Sequence, residues 1–283
     1  AYTALNHLAS EIRHAPAALR LVEPTQYISE LNEAKSQAAS ERFSAGQAAL
    51  AKGSTGDARE AVDHFLRAQE LVPNLRNVGT LLAQAQDAAT IRVLLEPVSC
   101  ATQGVDAAFI ETQLRTFLNQ SPQQYVRYYS PFELSNSGLK SDQIISIRFE
   151  PFASGKEKQF ETSREFSRDN VVIGRSSSNP PSDILGTVKA TAFMYTREIS
   201  ATTTLNLTIH DHSGVLLTKK MPCEAVWQDH WGSYRGDERA LPSDVREQCE
   251  RNQGPAPSLQ DLFVTATEAG FSTACEAIRH FHR

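Results

Sequence analysis

Methionine is scarce in this 283-residue chain: Met194 and Met221 are the two that occur, and residue 1 is Ala. From that start we expect a segment upstream to have been removed, by a signal peptidase or in preparing the protein. The four cysteines (Cys100, Cys223, Cys249 and Cys275) lie far apart and show no C-x-x-C spacing. A zinc knuckle or thioredoxin motif is thereby excluded, while disulfides and buried free thiols both stay open. No run of about 18 apolar residues is present, so no segment reads as a bilayer-spanning helix. Net charge is -5, with no clustered lysine and arginine to displace counterions, which excludes a nucleic-acid surface. The phosphate loop, G-x-S-x-G, H-E-x-x-H and G-x-G-x-x-G are all missing. What the chain does have is bulk: 40% hydrophobic and 22% charged residues over a length that suits two domains.

Helical spacing dominates the first third. Leu5, Leu8 and Ile12 form one stripe before Pro16, and Tyr27, Leu31, Ala34, Ala38, Ala45 and Ala49 a second, small-residue stripe. In "KGSTGDAREAVDHFLRAQELVP", Asp57 and Glu60 predict a helix cap, Ala61, Phe65, Ala68 and Leu71 an apolar face, and Pro73 a stop. Leu75, Val78, Leu81, Leu82 and Ala85 predict a further helix.

After Thr90 the pattern changes. "TIRVLLEPV" reads as strand, "DAAFIETQLRTFLN" as helix and "QYVRYYS" as strand. "QIISIRFEPF", "KQFETSREF" and "NVVIG" follow as strands, and "GRSSSNPPSD" as a loop. The strongest alternation is in "ILGTVKATAFMYT" and "ATTTLNLTIHD", which predict an antiparallel sheet with one buried face. "DHSG" then turns the chain into "VLLTKKM". Ser258 and Asp261 cap a closing helix whose stripe is Leu259, Leu262, Phe263, Ala266, Ala277, Ile278 and Phe281.

Two resemblances attach to these residues. Gly46, Ala49, Ala61, Phe65, Ala68 and Pro73 resemble the small and large positions of a tetratricopeptide repeat, though the inter-helix turn "AKGSTGD" is a residue or two longer than the pattern. "SDILGTVKATAFMYT…LNLTIHDHSGVLL" is similar to the central hairpin of envelope domains related to the curli secretion lipoprotein. Together they resemble tetratricopeptide-containing lipoproteins of the Gram-negative envelope, of the Bacteroidetes type. The resemblance implies an exported protein in the periplasm or at the outer membrane, held to the membrane, if at all, by an N-terminal lipid anchor. Its implied partner is another envelope protein, and no activity comes with it.

Chemistry-bearing residues concentrate in "AVWQDHWGSYRGDERAL", which holds both tryptophans. A catalytic reading makes His230 a general base oriented by Asp229 or Asp237, with Arg235 or Arg239 holding an anion, but no nucleophile sits at recognisable spacing. A structural reading pairs Asp237 or Glu238 with Arg235 or Arg239 in an ordered, charge-pinned loop after the sheet. An interface reading makes Trp227, Trp231, Tyr234, Arg235 and Arg239 the anchors for a partner, since Trp, Tyr and Arg dominate hot spots. His210, His212 and His230 are weak metal candidates that would serve a metal-dependent hydrolase. Tyr125, Tyr128, Tyr129 and Phe132 read either as a stacking platform or as core. Glu111, Glu133, Glu150 and Glu161 are scattered acids without pairing logic.

The fold class expected is α+β: helical hairpins over residues 1–90, then an α+β domain over 91–283 with a largely antiparallel sheet and a C-terminal helix. The expected function is non-enzymatic binding or scaffolding in the envelope, without cofactor, with homo-oligomerisation left open.

Overall fold

The computed structural model describes residues 1–75 and 77–283. Among these are nine α-helices and an eight-stranded, mostly antiparallel mixed sheet, with the helices of the first third preceding it, so the fold class is α+β. Contacts cluster into two compact units. One comprises Ala1–Val93, Gln123–Tyr128 and Lys140–Asp142; the other comprises Leu94–Pro122, Tyr129–Leu139 and Gln143–Arg283.

The first unit contains α1 (Tyr2–Arg13), α2 (Pro16–Leu19), α3 (Ile28–Lys52), α4 (Thr55–Leu71) and α5 (Val78–Ala89). Strand β1 (Ile91–Leu95) straddles the division between units. Gly53, at φ +82°, ends α3, and Ser54 rather than Asp57 caps α4: its Oγ accepts from the Asp57 N–H at 3.0 Å. The sequence pattern misplaces this cap by one turn because Asp57 is the third helical residue, where its carboxylate meets the helix dipole and the Ser54 hydroxyl. Ala49, Ala58, Ala61, Val62, Phe65, Ala68, Val78, Ala85 and Ala89 form the core, with Phe43 tilted on Phe65 at 5.8 Å. The Leu5 and Leu8 stripe of α1 is not part of it, since those residues are 44% and 52% exposed.

Small residues let α3 and α4 meet closely. A Cβ built on Gly46 would lie 2.7 Å from the Phe65 ring, which is 0% exposed. Gly46→Leu should therefore overpack this core and cost about 1–3 kcal/mol. Gly79→Ala in α5 meets nothing within 4 Å and should gain up to about 1 kcal/mol. Chemical denaturation of the two variants checks the pair, and equal midpoints would refute the close contact.

In the second unit, β2 (Ser99–Cys100) pairs parallel with β4 (Gln143–Phe149). Between them in sequence lie α6 (Ala108–Gln120), β3 (Val126–Tyr129, which also straddles the division) and α7 (Pro131–Ser137). The framework is β7 (Asp183–Asp211), a strand of 29 residues. Along one side it pairs in turn with β6 (Lys158–Arg175), β5 (Ala153–Ser154) and β4, and along the other with β8 (Gly214–Gly236), all antiparallel. "KQFETSREF" and "NVVIG", read as separate strands, are one continuous strand, β6. Behind β8 come a 3-10 turn (Glu238–Ala240), α8 (Ser243–Glu250) and α9 (Leu259–Phe281). A Cβ at Gly236, φ +113°, would strike the Lys189 carbonyl at 2.4 Å, so only glycine ends β8 this way.

One strand of this length cannot be covered by one helix. A 29-residue strand spans roughly 95 Å and a 23-residue helix roughly 35 Å. Burial along β7 therefore changes phase. Ile199, Ala201, Thr203, Leu205, Leu207 and Ile209 are buried on the face that α9 covers. Val188, Ala190 and Ala192 are buried on the opposite face, packed with Ala240, Leu241, Val245 and Cys249. α9 starts from a capping box in which Ser258 Oγ accepts from Asp261 N–H at 3.1 Å and the Asp261 carboxylate accepts back from Ser258 N–H at 3.1 Å. It carries Phe263, 0% exposed, into a cluster of Phe109, Phe149 and Phe152.

At the other end of α9, the His282 ring meets Gln143 Oε1 at 2.9 Å, and burial lowers its pKa to about 4. The folded state then resists protonation while the unfolded chain takes up a proton near pH 6.5. Stability gained from this group rises with pH between about 4 and 6.5 and is complete above that window. His282→Gln should flatten that part of the stability profile between pH 4.5 and 7. An unchanged slope would mean another group is responsible. All four cysteines are free, and burial pushes the Cys275 thiol up to about 12, which leaves it unreactive.

Candidate functional site

The tryptophan stretch is strand and not loop. β8 runs unbroken to Gly236, so Trp227 and Trp231 lie within it, and the expectation of a loop after the sheet is corrected. The pattern misleads because Asp229, a charged residue, sits on the same face as both indoles. Its partner explains this. Asp229 lies directly across from Arg197 on β7, a buried arginine only 6% exposed.

Arg197 is held from every side. Its Nη2 is 3.5 Å from Asp229 Oδ2 and donates to the Gly254 carbonyl at 2.5 Å, and its Nη1 is 3.6 Å from Glu157 Oε1. The guanidinium lies over Trp227 at 4.9 Å and Trp231 at 6.0 Å from the ring centres. Asp229 Oδ2 also accepts from the Gly254 N–H at 2.9 Å. This cluster therefore fastens the segment between α8 and α9 onto the sheet. Cation–π contact and charge-assisted hydrogen bonds offset the cost of burying the charge.

Beyond Arg197 the same face is open. Cross-strand partners share a face, so Tyr195 and Trp231 meet, stacked with ring centres 5.5 Å apart and planes 19° from parallel. Phe193 follows two residues on, with the Arg235 guanidinium 5.8 Å from its ring centre. These aromatics are half-buried and their flanking residues Ser233 and Arg235 are exposed.

The five interface candidates thus divide. Trp227, Trp231 and Arg235 share this face, with Trp227 occupied by Arg197. Tyr234 projects to the other face and donates to Glu238 at 3.2 Å. Arg239 lies beyond the strand, donating to Asp237 at 2.9 Å and to the Val172 carbonyl at 2.8 Å. Those Arg239 hydrogen bonds hold the Asp237 carboxyl down to about 2. Sequence reasoning missed Arg197, Tyr195 and Phe193. Their signal was the i, i+2 spacing in "FMYTR", visible as alternation but silent about the strand opposite.

The histidines are not brought together. His210 lies beside Val215, fifteen residues along β8 from His230, which is roughly 50 Å of strand. His212 lies in the turn, where Asp211 Oδ1 accepts from Ser213 and Gly214 N–H at 2.7 and 3.0 Å. His230 meets Thr196 Oγ1 at 3.0 Å on the face opposite Trp231. Among the described residues, no group of three His, Cys, Asp or Glu is placed to hold a metal ion. In the aromatic cluster, Tyr125 packs on the first unit's core under Arg59 at 5.1 Å, while Phe132, in the second unit, is 75% exposed.

No protein-family model matches the chain, and no curated protein matches it. Among solved structures, it is similar to a proposed neuraminyllactose-binding hemagglutinin homolog from Helicobacter pylori. The identity is 8% and the TM-score 0.28, over 68% of this chain and 84% of that one. A likeness of that size carries no argument.

Proposed function

We propose that the protein is a non-enzymatic binding component of the bacterial cell envelope that docks another protein on the open sheet face around Trp231. The observation that carries this reading is the stacked Tyr195–Trp231 pair continuing into Phe193 and Arg235 on adjacent strands. Aromatic and arginine side chains on a rigid, half-exposed surface are the composition of binding hot spots, because they bury much area at little entropic cost. The ionisable groups around the patch support a non-catalytic role. Asp229 serves Arg197, Asp237 serves Arg239 and His230 serves Thr196. The envelope setting rests on the sequence resemblance to envelope lipoproteins, and fractionation of the expressing cell tests it separately.

A photo-crosslinking residue at Ser233, on the open face, tests the docking reading in envelope fractions. The expected result is one discrete adduct from Ser233 and none from the same probe at Ser213, in the distant turn. Adducts from both positions, or from neither, would overturn the reading.

A further inference from the structure

Where the open face approaches Gly236, the sheet holds a cavity of about 460 Å³. β8 stops opposite Ala190 while β6 and β7 run on, and two successive cross-strand rows meet there. Glu165, Thr191 and Arg235 form one row, and Ser167 and Lys189 the next. Residues opposite one another, or two apart on one strand, share a face, so all five line the same cavity. Its volume falls within the range of small-molecule sites.

Neighbouring charges at this end of the sheet are matched. Arg175 pairs with Asp183 at 3.0 Å, and Arg239 donates to Asp237 at 2.9 Å. Arg168 donates to the Arg239 carbonyl at 3.4 Å, and Asp169 accepts from the Thr187 hydroxyl at 2.6 Å. Glu165, Lys189 and Arg235 differ: among the described residues, none of the three has an opposite charge within 4.0 Å. The strand spacing explains why. Glu165 and Arg235 stand two strands apart, roughly 10 Å, and Lys189 lies diagonally from each at roughly 7–8 Å. Thr191 stands between the acid and the arginine. Unlike charges thus face one cavity without closing on each other, which leaves room for a group between them. The Arg235 guanidinium is also steadied, 5.8 Å from the Phe193 ring centre. Stacking of that kind engages the face of a guanidinium and leaves the fork of N–H donors free at its edge.

We propose that this cavity binds a small molecule carrying two anionic groups and one ammonium, the charge set of an acidic amino acid. One carboxylate lies in the Arg235 fork, the second meets the Lys189 ammonium, and the ligand's ammonium meets Glu165. The Ser167 and Thr191 hydroxyls complete the hydrogen bonding between them. The placement of the three charges around one space selects this class. A simple dianion would meet both cations but lie against the Glu165 carboxylate, and a neutral amino acid would leave one cation unmet. An apolar molecule would desolvate all three charges. The site goes beyond the docking reading and does not rest on it.

Isothermal titration calorimetry with glutamate in low salt is the test. The expected result is saturable binding with a Kd of about 1 mM or below, weakened by added salt. Glutarate, which lacks the ammonium, and alanine, which lacks the second carboxylate, should each bind about fivefold more weakly, the upper scale of one exposed ion pair. Lys189→Gln with Arg235→Gln should weaken glutamate binding about tenfold or more. Glu165→Gln should bring glutamate and glutarate to the same affinity, because the group that tells them apart has lost its charge. All three side chains are exposed, so each variant should keep the denaturation midpoint of the unsubstituted protein. No saturable glutamate binding in that range would overturn the inference. So would equal binding of glutarate or alanine by the unsubstituted protein, or binding indifferent to the loss of Lys189 and Arg235. Inorganic phosphate binding as tightly as glutamate would also overturn it and leave a simple anion site.

Discussion

Phe263→Ala should lower the unfolding free energy by about 3–5 kcal/mol, because it empties the most enclosed aromatic position of the second unit. Phe263 is 0% exposed and meets Phe149 and Phe152 edge-on at 5.1 and 5.4 Å, with Phe109 at 6.3 Å. These rings come from α6, β4, the segment after β4 and α9, so none can move into the gap without dragging its own element. The transfer cost and the cavity cost then add. Edge-to-face contacts contribute roughly 0.5–1.5 kcal/mol each beyond area burial, and three are lost together. Phe263→Leu, which keeps most of the volume, should cost much less. Equilibrium denaturation of both variants checks the difference, and similar losses would mean that the ring contacts contribute little.

The same contrast between local pattern and distant partner decides how much was legible in the sequence. α3 and α5 followed from helical spacing, and Ser258 marked the start of α9, because caps and stripes are properties of one segment. The alternation in "ATTTLNLTIHD" likewise gave the half of β7 that α9 covers, where buried residues are apolar. The other half was legible as strand in "ILGTVKATAFMYT", though as a separate run and not as a continuation of the same strand. Which of its side chains face inward was not legible. There the burial changes phase, and just before the change the inward residues are Arg197 and, opposite it on β8, Asp229, each made tolerable by a residue more than thirty positions away. Alternation assigns a side chain to a face but does not say which strand lies opposite. Trp227 and Trp231 were therefore recognisable as important yet placed in a loop. His210 and His230 looked close in sequence, while the hairpin carries them far apart. The Asp237–Arg239 pair was legible because it is local.

Arg197→Met should cost about 3 kcal/mol, the lower end of the range for leaving a buried charge without its partner. Methionine keeps an apolar stem between Trp227 and Trp231, so the loss reports on the charge and its hydrogen bonds rather than on a cavity. Asp229 bears most of the consequence: its side chain is 18% exposed and would keep only the Gly254 N–H. Glu157, at 44%, returns to water at small cost. Asp229→Asn alone should cost less, because Arg197 retains Glu157 and the Gly254 carbonyl. The double substitution should then be less damaging than the sum of the singles, since the second change removes the carboxylate that the first had stranded. A local signature accompanies the global one. Without the Arg197 donor, the segment between α8 and α9 loses its hold on the sheet, so limited proteolysis should cut near Gly254 in the variant before the sheet unfolds. Tryptophan emission should shift as well, since both indoles lose a cation from their faces. Additive single effects together with an unchanged cleavage pattern would show that Arg197 is merely packed there and does not fasten that segment.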